Sequence, residues 1–470
     1  MAYQHYDRLT ALDAMFLDLE ETHVHMHVGA VALFDAAPLT GSDGELGIDR
    51  VRAVVEASLT NSPRFRQKLS RVPVFRHPVW VDDERFNLSF HLRHTSLPRP
   101  GDIRLLKRLA GRILSQKLDR GKPLWEMWVI EGVEDNRFAI IAKAHHCMVD
   151  GISGLDLLAG VLRGDPDPTL EPASSWYPRP TPSRRRLLRD ELLHRASWPL
   201  SAARSVGRAL GNPREVLGDL EEAAAGLGEI LTTGLKPTAS TPLNPDIGPH
   251  RRFDWAGIDL AAVKEVKTRL GGTVNDVVLA TAAGAIGRFL RQRGIPVDGQ
   301  VFRAQVPMSI RSRAEHGTAG NRIVMLLADL PIDERNAHQR YSQVQQMTAR
   351  LKKSSQRAGV EFFEALSNST LTSLFLFFAR IATWQRSYNI VVTNVPGPQF
   401  PVYLLGARMR EIYPLVPLAG NQGLGIALFS YDGRLYWGFN ADWDALPDVH
   451  GMVAGLHEEF ESLHKAALKS

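Results

Sequence analysis

The residues most able to do chemistry sit together in Ala144-His145-His146-Cys147-Met148-Val149-Asp150-Gly151. An apolar run, Phe138 to Ala144, precedes them and reads as a strand. A helix is expected from about Ser153, with Leu155, Leu158, Ala159 and Leu162 on one face. A strand end, a tight loop and a helix start hold side chains rigidly at the edge of a sheet. A neutral imidazole there can take the proton of an alcohol attacking a carbonyl, because its pKa lies near working pH. One of the two histidines suffices, since neighbours on an extended segment point opposite ways. Gly151 permits a sharp turn. No third ligand or HExxH pattern makes this a zinc site, so no metal is expected. Two satisfied histidines at a strand end with a helix-capping Asp150 would be the structural alternative.

Composition narrows the classes. The 470 residues are too many for one ordinary core, so two domains are expected. With 44% hydrophobic and 23% charged residues and a formal net charge of +5, the chain reads as globular and suits an anionic cofactor or lipid surface. No zinc-finger spacing, aromatic–basic repeat or heptad series supports nucleic-acid binding. The single cysteine, Cys147, excludes an internal disulfide and suits a reducing compartment. No secretory leader is visible at Met1 to Leu12, and the longest greasy stretches, Leu371 to Ala379 and Leu415 to Ala419, are short of the roughly 20 residues of a spanning helix. No Walker sequence or GxSxG elbow points to a kinase or serine hydrolase.

The elements that must position the motif read as an α/β protein in three parts: 1–165, 166–250 and 251–470. In the first, Val28 to Phe34 and Phe138 to His145 read as strands and Ile103 to Leu118 as an amphipathic helix. Six prolines from Pro166 to Pro182 mark a crossover. The stretch from Arg184 to Ile230 is helical in pattern and opens with Arg184, Arg185, Arg186 and Arg189, either a solvated face or a basic surface for an anionic bilayer. The third part should hold helices at Leu260 to Leu270, Thr273 to Arg293 and Glu334 to Lys353, and another from about Asp448. Strands are expected at Val301 to Met308, Arg322 to Leu330 and Asn389 to Thr393. A hairpin over Gly425 to Phe439 should turn at Asp432-Gly433. Asn394 to Pro398 should end a strand, since proline lacks the amide donor.

The HHxxxDG pattern from His145 to Gly151 resembles that of chloramphenicol acetyltransferase-like acyltransferases and condensation domains. Further segments resemble the bacterial wax ester synthase/diacylglycerol acyltransferase family. These are the opening Leu12-Asp13-Ala14-Met15-Phe16, the PLW segment Pro123-Leu124-Trp125, the ND pair Asn275-Asp276, the PxSxR strand Pro307 to Arg311, and the NVPGP loop Asn394-Val395-Pro396-Gly397-Pro398. They are collinear over nearly the whole chain. The Arg- and Ala-rich style suits an actinobacterial member.

The resemblance implies two chloramphenicol acetyltransferase-like domains, each a mixed sheet with flanking helices, with an active-site channel between them. It implies acyl-CoA as co-substrate, no bound cofactor, and diacylglycerol or a long-chain alcohol as acceptor. It makes His146 the general base, His145 its support, and Asp150 a structural carboxylate paired with Arg311. Asn275 and Asp276 would support the wall from the second domain, yet Thr273 with Asp276 reads equally as a capping box. Pro123, Leu124 and Trp125 read as a turn with a core tryptophan, and Asn394, Pro396 and Gly397 as either a tunnel-lining loop or an inert turn. A cytoplasmic enzyme resting on the inner membrane or lipid droplets is the expected setting. An amide-forming condensation-type or a polyketide-associated acyltransferase, or a catalytically idle lipid-surface protein of the same fold, are the rivals.

Overall fold

The computed structural model describes residues 6–148, 156–170, 175–196, 238–309, 323–366 and 387–470. The first half runs β1 (Asp7–Arg8), α1 (Ala11–Leu19), β2 (His27–Asp35), α2 (Ile48–Ser58), β3 (Gln67–Arg71), β4 (Pro78–Asp82) and α3 (Leu88–His91). It continues with β5 (Leu92–Ser96), α4 (Ile103–Leu114), β6 (Trp125–Val133), β7 (Arg137–His145), a 3₁₀ turn at His146–Met148, α5 (Asp156–Ala159) and α6 (Arg184–Ala196). The second half holds β8 (Arg251–Asp259), α7 (Leu260–Leu270), α8 (Val274–Gln292), β9 (Phe302–Ser309), β10 (Ile323–Leu330) and α9 (Ala337–Leu366). Then come β11 (Ile390–Pro396), β12 (Tyr403–Leu404), β13 (Ala407–Leu415), β14 (Leu424–Tyr431), β15 (Arg434–Asp442) and α10 (Val449–Leu468).

Two six-stranded sheets organise these elements, one ordered β12-β13-β2-β7-β6-β5 and the other β10-β9-β11-β14-β15-β8. A small sheet, β1-β4-β3, joins the core of the first through Trp80. In the first sheet β2 and β7 are central and buried almost throughout, which is why they read as unbroken apolar runs. Their antiparallel register sets His27 opposite His145.

The first sheet is not built from the first part of the chain alone. β13, from deep in 251–470, pairs antiparallel with β2, so the boundary near 251 does not separate the sheets. β13 also lies across the second sheet. Tyr413 stacks on Trp255 at 4.8 Å, the Tyr436 hydroxyl donates to the Arg410 carbonyl at 2.8 Å, and Asn440 donates to the Val416 carbonyl at 2.9 Å. A Cβ at Gly438 would stand 1.9 Å from the Pro414 carbonyl oxygen, so only glycine admits this crossing. The halves are further joined where the Arg251 amide donates to Ser115 Oγ at 2.8 Å.

Several boundaries differ from expectation for local reasons. The helix from Ile103 stops at Leu114 instead of Leu118, because Ser115 and the buried Lys143 take over its last carbonyls. Lys143 Nζ donates to Ile113 and Gln116 at 3.0 and 2.7 Å. The helix expected from Glu334 begins at Ala337, since the Asn336 side chain accepts from the amides of His338 and Gln339 and so caps it; it runs on to Leu366. Asn394 to Pro398 ends a strand as expected, but the strand runs on to Pro396 instead of stopping at Thr393. β11 continues through Asn394 and Pro396, paired parallel with β14. Among the described residues its other neighbour, β9, engages Ile390 and Val391, and no pairing of Pro396 with β9 is among them. The hairpin turns at Asp432 and Gly433, both at positive φ, as expected.

Candidate active site

The motif stands at the end of β7, with each histidine anchored differently. The His145 amide donates to the Leu124 carbonyl at 2.9 Å, and the His146 amide donates to the Met26 carbonyl at 2.8 Å. His145 is wholly buried. Its Nδ1 accepts from the Cys147 amide at 3.2 Å, so the proton of the neutral ring belongs on Nε2. That Nε2 has no hydrogen-bond partner among the described residues and points toward Glu20 Oε2 at 3.9 Å. Burial, with Arg120 adding to it, pushes His145 down to about 3.

His146 begins the 3₁₀ turn, which breaks the strand alternation and turns its ring toward α1. The ring stacks on Phe16 at 3.8 Å and 21°. The residue is partly accessible, although its Nδ1 is buried and has no hydrogen-bond partner among the described residues. Burial lowers it to about 4. His146 is therefore a neutral imidazole at ordinary pH, the state a proton acceptor needs.

Cys147 packs into the first core, and burial pushes its thiol above the ordinary range. An inert filler, not a thiolate nucleophile, is what this environment supports.

Around the pair lies a polar cluster that motif reasoning missed. Glu20 directly follows α1 and its side chain is almost fully buried. Arg120 Nε donates to Glu20 Oε2 at 2.7 Å, and Arg120 also donates to the Leu17 carbonyl at 2.7 Å. Lys117 Nζ stands 3.5 Å from the same carboxylate, and His27 Nε2 is 4.0 Å from Oε1. Burial holds His27 well below the usual histidine value. A clue was present: Phe16 and Glu20 are four residues apart, the spacing that puts two side chains on one side of a helix. The opening motif thus reaches the site through Phe16 directly and through Glu20 just beyond it.

The other sequence candidates divide clearly. Leu124 holds the His145 amide through its carbonyl, while Trp125 is buried beneath it. The Trp125 indole donates to the Phe65 carbonyl at 2.7 Å, and its ring stacks on His91 at 4.7 Å. Pro123 leads into this turn and accepts the Trp125 amide. Asp276 is a capping residue: with Thr273 it forms a complete capping box at the start of α8, and its other oxygen accepts from Thr348 at 2.7 Å. None of those bonds reaches the histidines, and Asn275 sits in the same helical turn. Asn394 and Pro396 close β11, and Gly397 follows directly after it. Gly397 is pressed against Phe429 and Ser430. Asp150, Gly151 and Arg311 lie outside the described residues, as does the expected pairing of Asp150 with Arg311.

A neutral histidine at the end of a central strand, in a two-sheet fold whose second half lends a strand to the first sheet, is the build of an acyltransferase of the chloramphenicol acetyltransferase type. The chain belongs to the wax ester synthase/diacylglycerol acyltransferase family: its catalytic-domain model matches residues 9–278 and its C-terminal-domain model residues 319–464. The chain is 33% identical over 464 residues to the probable diacylglycerol O-acyltransferase tgs1 of Mycobacterium tuberculosis, covering 96% of this chain and 94% of that one. Among solved structures, the wax ester synthase/diacylglycerol acyltransferase of Marinobacter aquaeolei VT8 is similar at 25% identity and a TM-score of 0.68, covering 98% of this chain and 99% of that one. The starter condensation domain of rhizomide synthetase, at 12% identity and a TM-score of 0.56 over 99% of this chain and 95% of that one, shares the fold.

Proposed function

We propose that this acyltransferase moves a long-chain acyl group from acyl-CoA to the hydroxyl of diacylglycerol, of a long-chain alcohol, or of both, with His146 as the general base. The observation that carries the reading is the placement of the His146 ring, just past the end of β7 and stacked on Phe16, with burial favouring its neutral form. The acceptor hydroxyl gives its proton to His146 as its oxygen attacks the thioester carbonyl. Collapse of the tetrahedral intermediate breaks the C–S bond, and the imidazolium returns the proton to the departing thiolate as free CoA. Transfer is direct, with no acyl-enzyme and no bound cofactor. The M. tuberculosis and Marinobacter relatives, named for O-acylation, favour this over an amide-forming condensation. Asp150 is assigned a structural role, paired with Arg311. Incubating the purified protein with palmitoyl-CoA, diacylglycerol and hexadecanol together, and scoring both esters, tests the reading. Formation of neither would overturn it.

The enzyme works at a membrane or lipid-droplet surface on the cytoplasmic side, because acceptor and product are nearly insoluble in water. Among the described residues no single helix is long and apolar enough to cross a membrane. α6 supports peripheral contact: Leu187 is buried against the small sheet, Leu192 and Leu193 are exposed, and Arg185, Arg186 and Arg189 line an open surface depression. Flotation with anionic liposomes at low and high salt checks this. Binding should weaken with salt, and none at either would remove the idea.

A further inference from the structure

Glu20 is the one acidic side chain within 4.0 Å of the motif's first histidine among the described residues, and it is sequestered from water. A carboxylate in such a place needs a reason to stay. Arg120, whose side chain still reaches solvent, supplies the neutralising charge, and it is itself tied to α1 through the Leu17 carbonyl. Lys117 approaches from the same loop, and His27 from β2. The carboxylate is thus fixed by groups from α1, from the segment after α4 and from β2. The remaining direction faces His145 Nε2, a buried nitrogen with no hydrogen-bond partner among the described residues. On the far edge of that ring, Nδ1 accepts the Cys147 amide and so ties the ring to the backbone of the turn that carries His146.

We propose that Glu20 is a positioning residue for acyl transfer: held by Arg120, its carboxylate keeps His145 in the Nε2–H tautomer, so that Nδ1 stays free to accept the Cys147 amide and the turn presents His146 at a fixed angle. The proposal rests on the His146 reading. At 3.9 Å the Glu20–His145 contact is electrostatic, not a hydrogen bond, and it selects the tautomer by orienting a buried N–H dipole toward a negative charge. With the other tautomer, an Nδ1–H would face the Cys147 N–H, donor against donor, and the turn would have to move. Burial above all, with Arg120 and Lys117 adding to it, disfavours a doubly protonated ring, so the carboxylate chooses between two neutral forms instead of creating an ion pair. Glu20 touches neither substrate nor the reacting atoms in this scheme. It acts through His145.

Glu20→Gln preserves volume and removes the charge. It should lower kcat by about 10- to 100-fold, the scale of a misplacement of roughly 1 Å at a reacting group, while KM for palmitoyl-CoA stays within about twofold. Glu20→Asp, which restores the carboxylate, should recover most of the loss. In a His145→Ala background, Glu20→Gln should cost less than about twofold more, because the residue it acts through is gone. Equal losses in both backgrounds, or no loss in either, would overturn the proposal. A readout independent of turnover is ¹⁵N-histidine NMR of the whole chain, with the His145 signals assigned by their disappearance in His145→Ala. Wild type should show protonated Nε2 and unprotonated Nδ1; the reverse tautomer would overturn the proposal even if the Glu20 variants failed to fold. A wild-type protein inactive toward every acceptor would sink the functional reading alone and leave this test standing.

Discussion

Acidification should destabilise this protein through the histidines packed beneath its active site. His145 makes the case sharpest, being wholly buried and held at about 3, whereas the same side chain in the unfolded chain titrates near 6.5. The folded value lies below the unfolded one, so below about pH 6.5 the unfolded state takes up a proton the folded state refuses. Stability from this residue is therefore intact above that pH and falls as pH drops, until the folded ring protonates near 3. The slope is about 1.4 kcal/mol per pH unit for one proton, so this residue alone costs about 2 kcal/mol at about pH 5. His27 and His146 shift the same way and add to the loss. Urea unfolding of wild type and His145→Ala between about pH 8 and pH 5 isolates the contribution, since other groups cancel in the comparison. Removing His145 lowers stability everywhere through lost packing, but it should also flatten the slope by about one proton. Parallel pH dependences in the two proteins would show that His145 is not held neutral by burial, and the argument would fail.

Cys147→Ala should retain most activity, and initial rates should intersect instead of running parallel; an acylated Cys147 caught by mass spectrometry, with an inactive alanine variant, would contradict this. Gly397→Ala should lower stability by about 1 to 3 kcal/mol, because its Cβ would sit 2.2 Å from the Phe429 ring and 2.5 Å from the Ser430 carbonyl oxygen; an unchanged thermal midpoint would show that the turn yields freely. Asp150→Ala and Arg311→Ala should each destabilise by roughly 3 to 5 kcal/mol if the two form a buried pair, and the double variant should cost much less than their sum; additive losses would show that they are not partners.

The sequence displayed local features well and distant pairings poorly. The strand ending at His145 was legible because a central strand buried on both faces must be a continuous apolar run. The Thr273–Asp276 cap was legible because it is closed within one helical turn. β13 was not: Ala407–Leu415 carries Arg408, Arg410 and Glu411, and nothing in that local pattern tells that its partner is β2 in the other half of the chain. Pro396 obscured where β11 stops for a related reason, since a proline's cost in a strand depends on which side is paired, a fact held by β9 and β14 and not by the residue. Glu20 escaped notice because its significance depends on Arg120, 100 residues away, and on a histidine farther still. The motif residues themselves were the easier part; what holds them came from three separated elements.

The central claim, that His146 is the base, is most directly tested by turnover of His146→Ala beside His145→Ala with palmitoyl-CoA and diacylglycerol, each variant first shown to be folded. Loss of a general base typically costs about 10² to 10⁴ in rate, so His146→Ala should fall by that factor and His145→Ala, which removes only support, by distinctly less. Equal losses in two folded variants, or a His146→Ala enzyme near wild-type rate, would contradict the account.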